Sequence, residues 1–410
     1  MIFPLVRSSW SLVATIGLLL ANLAAVRVFL PRVYARPALR GAWLALVMSA
    51  LAAHGAWLVF RTSSFAGRAG GTFVSAAPVF LALVLVSIPS AGVLAWLTRR
   101  SRPASEGTID SPGQSPEAPP SAAPPPLARP RITRRAALSA VAALPPASAV
   151  GAGAIGFSTG FASPAVRTKV LSVPKLPKAL EGLRIVQVSD VHLGVYRTTE
   201  DLEAALERAS LERPDLVVVT GDFVERPWLW DDALSVLANA RPRLGVYGCL
   251  GNHEHFQSTR DVRRAYERAR VPLLVDDGVK LDVDGASLAL LGIDDPRAMR
   301  GDIETPMRAS IERALRRADG DFRLLLSHRP EGIVPASSLD VGLVLAGHTH
   351  GGQIGFAGKS AFEPLAPDGY LWGPYLVENT RLYTTSGFGH WYPFRLGCGA
   401  ELPVLELRRG

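Results

Sequence analysis

His348 and His350 open the search for chemistry, in the run Ala346-Gly347-His348-Thr349-His350-Gly351-Gly352-Gln353. They follow an apolar stretch, Leu343-Val344-Leu345, at positions i and i+2. On an extended backbone that spacing puts both imidazoles on one side, where they can hold a metal ion. The flanking glycines remove side chains that would block a phosphate or a second ion. A His-x-His pair is also ordinary strand packing, so the weight falls on matching ligands elsewhere. Four more apolar runs supply them. Arg184–Ser189 leads to Asp190-Val191-His192, Leu216–Thr220 to Gly221-Asp222, Gly245–Leu250 to Gly251-Asn252-His253-Glu254, and Phe322–Ser327 to His328. The histidine pair itself follows Val341–Ala346. Singly, Asp222 is a turn acid, Asn252-His253 a turn and His328 a cap. Together they form a pattern.

The elements that must position these groups are legible. Short apolar runs of this kind predict buried strands, and between them lie helical spacings. In Glu200–Leu211, residues Leu202, Ala205, Leu206 and Ala209 share a face, with Thr198 or Thr199 as cap. Met307–Arg317 is a second such helix. The alternation predicts one α/β domain over 167–410, in which strand ends converge on a single functional edge.

The amino-terminal third is different. Ser8–Val26, Gly41–Phe60 and Thr72–Leu97 are apolar runs of bilayer-spanning length without a polar face, predicting three transmembrane helices within residues 1–97. Residues 98–133, rich in Pro, Ser and Ala, predict a linker unable to bury a core. Arg134-Arg135 then opens a fourth apolar segment, 134–166. It reads either as a fourth transmembrane helix or as a segment resembling a twin-arginine export signal. Ala147-Ser148-Ala149 has the small-residue character of a cleavage site, and cutting there would release the domain.

Charge separates function classes. Residues 1–135 carry 14 Arg, no Lys and 3 acidic residues, and the rest carries 30 basic and 33 acidic. A nucleic-acid partner would call for basic charge on the folded domain, so none is expected. Eleven of those arginines lie between the first and second runs or between the third and fourth, and three lie in the other loops. Positive charge marks the cytoplasmic side, which puts the linker inside and the domain outside a bacterial cell membrane. The two cysteines, Cys249 and Cys398, exclude a thiolate zinc site and are expected as buried free thiols.

Gly221-Asp222, Gly251-Asn252-His253-Glu254 and Gly347-His348-Thr349-His350, with Asp190-x-His192 upstream, resemble the calcineurin-like metallophosphoesterases, in their bacterial membrane-associated or exported branch. The resemblance covers about residues 180–407. It implies a β-sandwich flanked by helices and a centre of two divalent ions. Carried over position by position, Asp190, His192 and His350 would hold one ion, and Asn252, His328 and His348 the other. Asp222 would bridge them, and His253 would be catalytic. Oxygen and nitrogen ligands without thiolate suit Mn, Fe or Zn alike. The implied activity is hydrolysis of a phosphodiester or phosphomonoester by metal-activated water, with the diester preferred. The departures are His255 and His390-Trp391-Tyr392, which leave substrate contacts open. Trp228, Trp230, Trp372, Tyr375 and the 390–392 group either line an apolar rim for a lipid-linked or envelope substrate or pack their loops onto the domain. Arg395 either pairs a substrate phosphate or forms a surface salt bridge. The alternative function is a catalytically silent module presented by the membrane helices to a partner.

Overall fold

The computed structural model describes residues 3–60, 134–296, 302–366, 368–390 and 392–410, with most of 81–96. The expected linker lies outside the described residues. Two compact units divide the chain, with their boundary between Gly153 and Ala154.

In the first unit, helices α1 (Phe3–Phe29) and α2 (Pro37–Phe60) cover the first two apolar runs, and the described part of the third run is helical. Among the described residues one stretch, Leu12–Phe29 in α1, is long and apolar enough to cross a membrane. His54, in the second run, is buried with its Nδ1 2.7 Å from the Ala50 carbonyl one turn back. Helix α3 (Arg134–Phe161) covers the fourth run, and its residues from Ala154 belong to the second unit.

The second unit is a sandwich of two sheets between helices. Its strands are β1 (Ala165–Val173), β2 (Arg184–Val188), β3 (Leu216–Thr220), β4 (Val246–Cys249), β5 (Asp277–Val283), β6 (Ala286–Gly292), β7 (Phe322–Leu326) and β8 (Leu343–Ala346). A short hairpin, β9 (Gly355–Phe356) and β10 (Lys359–Ser360), precedes β11 (Gly373–Val377), β12 (Thr380–Thr384) and β13 (Glu401–Arg409). One sheet has the order β1-β13-β2-β3-β4 and the other β11-β12-β8-β7-β6-β5. Strands β2, β3 and β4 are parallel, as are β6, β7, β8 and β12.

The period of two explains why both faces of the central strands are largely apolar. Ile185, Leu216 and Val218 point into the core between the sheets, facing Leu290, Leu324, Leu326, Leu343 and Leu345. Their neighbours Val186, Val188, Val217 and Val219 point outward under helices. Val344 and Leu325 do the same on the other sheet. A strand covered on both faces admits a polar residue only where hydrogen-bond partners satisfy it.

Helices α4 (Thr199–Ser210), α5 (Trp230–Asn239) and α6 (Thr259–Ala269) cover the first sheet, and α7 (Glu304–Leu315) and α8 (Ile333–Ser337) the second. Helix α4 starts at Thr198 through a reciprocal capping box with Asp201. Buried Gln187 ties the sheets together, donating to the Ala346 carbonyl at 2.9 Å and to the Thr220 hydroxyl at 3.1 Å. Cys249 and Cys398 are buried and unbridged.

Candidate metal centre

Beyond β2 and β3 the two chains keep step. Asp190 N donates to the Gly221 carbonyl and His192 N to the Asp222 carbonyl, each at 3.1 Å. Opposite, Gly347 N donates to the His328 carbonyl at 2.9 Å. These continued ladders bring the strand-end residues face to face.

Asp190, His192, Asp222, Asn252, His253, His328, His348 and His350 all lie together in this region. Three carboxylate–imidazole groups form there, each with its ligand atoms within 4.8 Å of one another. Asp190, His192 and His350 make one, with His192 Nε2 3.2 Å from His350 Nε2 and His350 Nε2 3.4 Å from Asp190 Oδ1. Asp222, His328 and His348 make another, with Asn252 Oδ1 3.0 Å from His328 Nε2 and His348 Nδ1 3.1 Å from it. Asp222 Oδ2 faces both, 3.8 Å from His192 Nε2 and 3.3 Å from His328 Nε2. Ring nitrogens and carboxylate oxygens crowded at these distances present several lone pairs to one point, an arrangement a cation can occupy. The donor set therefore fits two closely spaced divalent ions of borderline hardness.

The third group is Glu225 with His192 and His253. Glu225 Oε1 lies 2.7 Å from His192 Nδ1 and 2.6 Å from His253 Nδ1. A carboxylate on Nδ1 fixes the ring and leaves Nε2 for the site. His253 Nε2 is 3.7 Å from Asp222 Oδ2.

Charge follows this geometry. Burial raises the Glu225 carboxyl, but hydrogen bonds from His192 and His253 win and bring it to about 2. Burial lowers His253, yet the Asp222 charge and Glu225 leave it above an ordinary histidine. Burial also opposes the His328 cation, which Asp222 nevertheless holds up to about 10. His348 falls to about 3 through burial and the neighbouring His328 charge.

The backbone is bent to order. Asp190, His192, Asp222, His348 and His350 all have positive φ, between 49° and 69°. Such conformations cost L-residues energy and persist where surrounding structure imposes them, typically at functional sites. The histidine pair is thus not extended, as its spacing predicted. Strand β8 ends at Ala346, and the left-handed turns send His348 to one cluster and His350 to the other. His253 sits outside strand β4, where the chain enters a 3-10 turn at Glu254–Phe256. At Gly347 a Cβ would run into Asp190 and Ser189, so the close approach requires glycine.

Several contributors escape a reading by strand ends. Glu254, 1% exposed, accepts from the backbone N–H groups of Gly251 (2.7 Å), Asp222 (2.9 Å) and Phe223 (2.8 Å), clamping the loops after β3 and β4. Ser189 Oγ donates to Asp190 Oδ2 at 2.6 Å. Strand β6 also ends in acids, Asp294 and Asp295, which hold His255 (2.7 Å) and Arg329 (2.7 Å). The run Leu288–Ile293 followed by two aspartates carried the signal. Arg395 corrects both of its readings: it is wholly buried and donates to the carbonyls of Cys398, Ser386, Gly387 and Gly389. Of the aromatic groups, Trp230 is core, packed near Phe223 and Tyr266, while Trp228 is exposed. Trp372 and Tyr375 bond Glu401 and Glu363, and Trp391 lies outside the described residues.

Comparison with known proteins converges on the same region. The family model described as calcineurin-like phosphoesterase matches residues 183–352, which contain every residue of the three groups. An uncharacterized metallophosphoesterase of Campylobacter jejuni is 31% identical over 60% of this chain and 64% of its own length. The Bacillus subtilis metallophosphoesterase YkuE is 30% identical over 57% of this chain and 82% of its own. A bovine (Bos taurus) transmembrane protein with metallophosphoesterase domain is 30% identical over 62% of this chain and 59% of its own. The chain thus spans less than two thirds of some relatives and most of another. With YkuE matched over most of its length and the family pattern laid across both clusters, the chain belongs to the calcineurin-like phosphoesterase family.

Proposed function

We propose that the chain is a membrane-anchored, metal-dependent phosphoric ester hydrolase acting on a phosphodiester in preference to a monoester. The observation that carries this reading is Asp222 Oδ2 facing both clusters at 3.3 and 3.8 Å. Asp190, His192 and His350 would hold one divalent ion, Asn252, His328 and His348 the other, with Asp222 common to both. Manganese, iron and zinc all suit these donors. Ions so bound would neutralise phosphoryl charge and favour water as the nucleophile near neutral pH.

The protein's own groups do the rest. Glu225 orients His192 and His253 through Nδ1. His253, with an elevated proton affinity, gives its proton to the leaving oxygen. Asp222 Oδ1 accepts from His253 N at 2.9 Å, which ties the backbone of the acid to the shared carboxylate. Gly351 and Gly352, both left-handed, let the loop turn tightly against Cys398 and Phe362, where a Cβ would collide.

The bovine transmembrane relative favours a membrane anchor, and the arginine asymmetry is the argument for several spans with the domain outside a bacterial cell membrane. Exposed Phe356, Phe362 and Leu365, on the loop following the histidine pair, suit a lipid-linked envelope substrate. The test is elemental analysis of the purified chain with hydrolysis of an aryl phosphodiester, for the wild type and Asp222→Asn. Two ions and turnover in the wild type, and fewer than two ions without turnover in the variant, are expected. A variant with two ions and near-normal rate refutes the shared-carboxylate centre.

A further inference from the structure

Strand β6 runs parallel to β7, and Ile293 N donates to the Leu326 carbonyl, so Asp294-Asp295 lies level with His328-Arg329. Asp295 and Arg329 are both buried, at 4% and 5% exposure. Arg329 Nε donates to Asp295 Oδ2 at 2.7 Å, and Nη2 reaches Oδ1 at 3.4 Å. The opposite end of the guanidinium, Nη1, lies 3.2 Å from His348 Nε2. The other nitrogen of that ring, Nδ1, faces His328 Nε2 inside the second cluster.

A buried ion pair adds little net stability, because desolvation offsets attraction. What this pair does is hold a cation in one orientation at the rim of the cluster. Arg395 cannot serve there, since its Nη1 and Nη2 donate to backbone carbonyls. The hydrogen accounting points the same way. When His348 Nδ1 acts as a ligand, the ring's one proton sits on Nε2, which then cannot accept from Arg329. The Nη1 hydrogens are left facing the cluster without that acceptor. A phosphoryl oxygen fills the role, and a planar guanidinium matches it better than any other side chain.

We propose that Arg329, aimed by Asp295, contacts the phosphoryl oxygens of the substrate beside the second cluster. The inference rests on the hydrolase reading above.

The test uses the full-length chain in detergent, loaded with Mn2+, with inorganic phosphate as probe. Bound metal is counted by elemental analysis and phosphate affinity measured by calorimetry. Arg329→Ala should keep the wild-type metal count and bind phosphate roughly ten- to a hundredfold more weakly, the range for losing a charged hydrogen bond. Arg329→Lys should fall between, because an ammonium cannot engage the aspartate fork and the phosphate together. Asp295→Asn should weaken phosphate in the same direction. Wild-type phosphate affinity in Arg329→Ala or Arg329→Lys at equal metal content overturns the proposal. So does loss of an ion in both, which would make Arg329 a support for His348. A wild type that holds fewer than two ions brings down the hydrolase reading itself, and this inference with it.

Discussion

Glu254 offers the sharpest test of how the centre is held, because it binds no ion in the proposed arrangement and yet touches both loops that do. Glu254→Gln keeps its volume and replaces one carboxylate oxygen with an NH2 group. Oε2 serves the N–H groups of Asp222 and Gly251, and Oε1 serves Phe223. The amide can present its oxygen to one side only. At best it keeps the Asp222 and Gly251 bonds and sets NH2 against the Phe223 N–H. An unsatisfied buried donor costs about 1–3 kcal/mol, and the surviving bonds lose their charge assistance. The sum is about 2–4 kcal/mol, and each kcal/mol moves the melting midpoint by roughly 2–4 °C in a domain of this size. Differential scanning fluorimetry at a fixed scan rate should therefore show a fall of about 4–16 °C. Metal titration should show affinity weakened about 10–100-fold, as for other partners that orient ligands without binding metal. A midpoint within about 1 °C of wild type, with unchanged metal affinity, would refute the clamp, since 2 kcal/mol could not then be missing.

His253→Ala should retain two ions and lose turnover about 10²–10⁴-fold, with smaller losses on substrates that have good leaving groups; equal losses across a leaving-group series would argue against the acid role. Burial raises Glu401, but the Lys169 ammonium at 2.6 Å pulls its carboxyl below the ordinary range. Its contribution is thus complete above the unfolded pKa of about 4.3 and drains away as pH falls below it. Thermal midpoints measured between pH 6 and 3 should drop less steeply for Glu401→Gln than for wild type; parallel curves would contradict this. Reporter fusions active only outside the cytoplasm should be silent near Gln114 and active after Arg167, and the reverse pattern would place the domain inside.

What was legible in the sequence is what chemistry writes in residue type. His328, His348 and His350 stand out because imidazoles are rare after apolar runs, and the resemblance then ordered them with Asp190, Asp222 and Asn252. Strands β2, β3, β7 and β8 were readable because burial on two faces leaves uninterrupted apolar runs, and their ends shifted by only a residue or two. Glu225 and Glu254 were hidden because they act on ring Nδ1 and backbone N–H groups, partners that leave no spacing in the chain. Asp295 was hidden because its partner, Arg329, is adjacent through parallel pairing of β6 and β7 and not through sequence. Arg395 was misread for a related reason. Nothing local announces that residues 386–398 fold back on its guanidinium. The left-handed turns at His348 and His350 were equally invisible, since neither residue type announces a positive φ.

The order β1-β13-β2 has a consequence for how the protein comes into being. Strand β13 lies parallel to β1 on one side and antiparallel to β2 on the other, more than 200 residues further along the chain. Strands β1 and β2 are consecutive, yet they cannot pair with each other in the finished sheet. Until Glu401–Arg409 is in place, β1 has no neighbour, and the inner edge of β2 stands open beside Asp190 and His192. Closure across so long a loop is slow, and an unpaired edge invites other chains. Completion of the sheet therefore waits on Glu401–Arg409, the segment that closes it. Removing Glu401–Arg409 would leave β1 and β2 without their shared neighbour and open the seam beside Asp190 and His192.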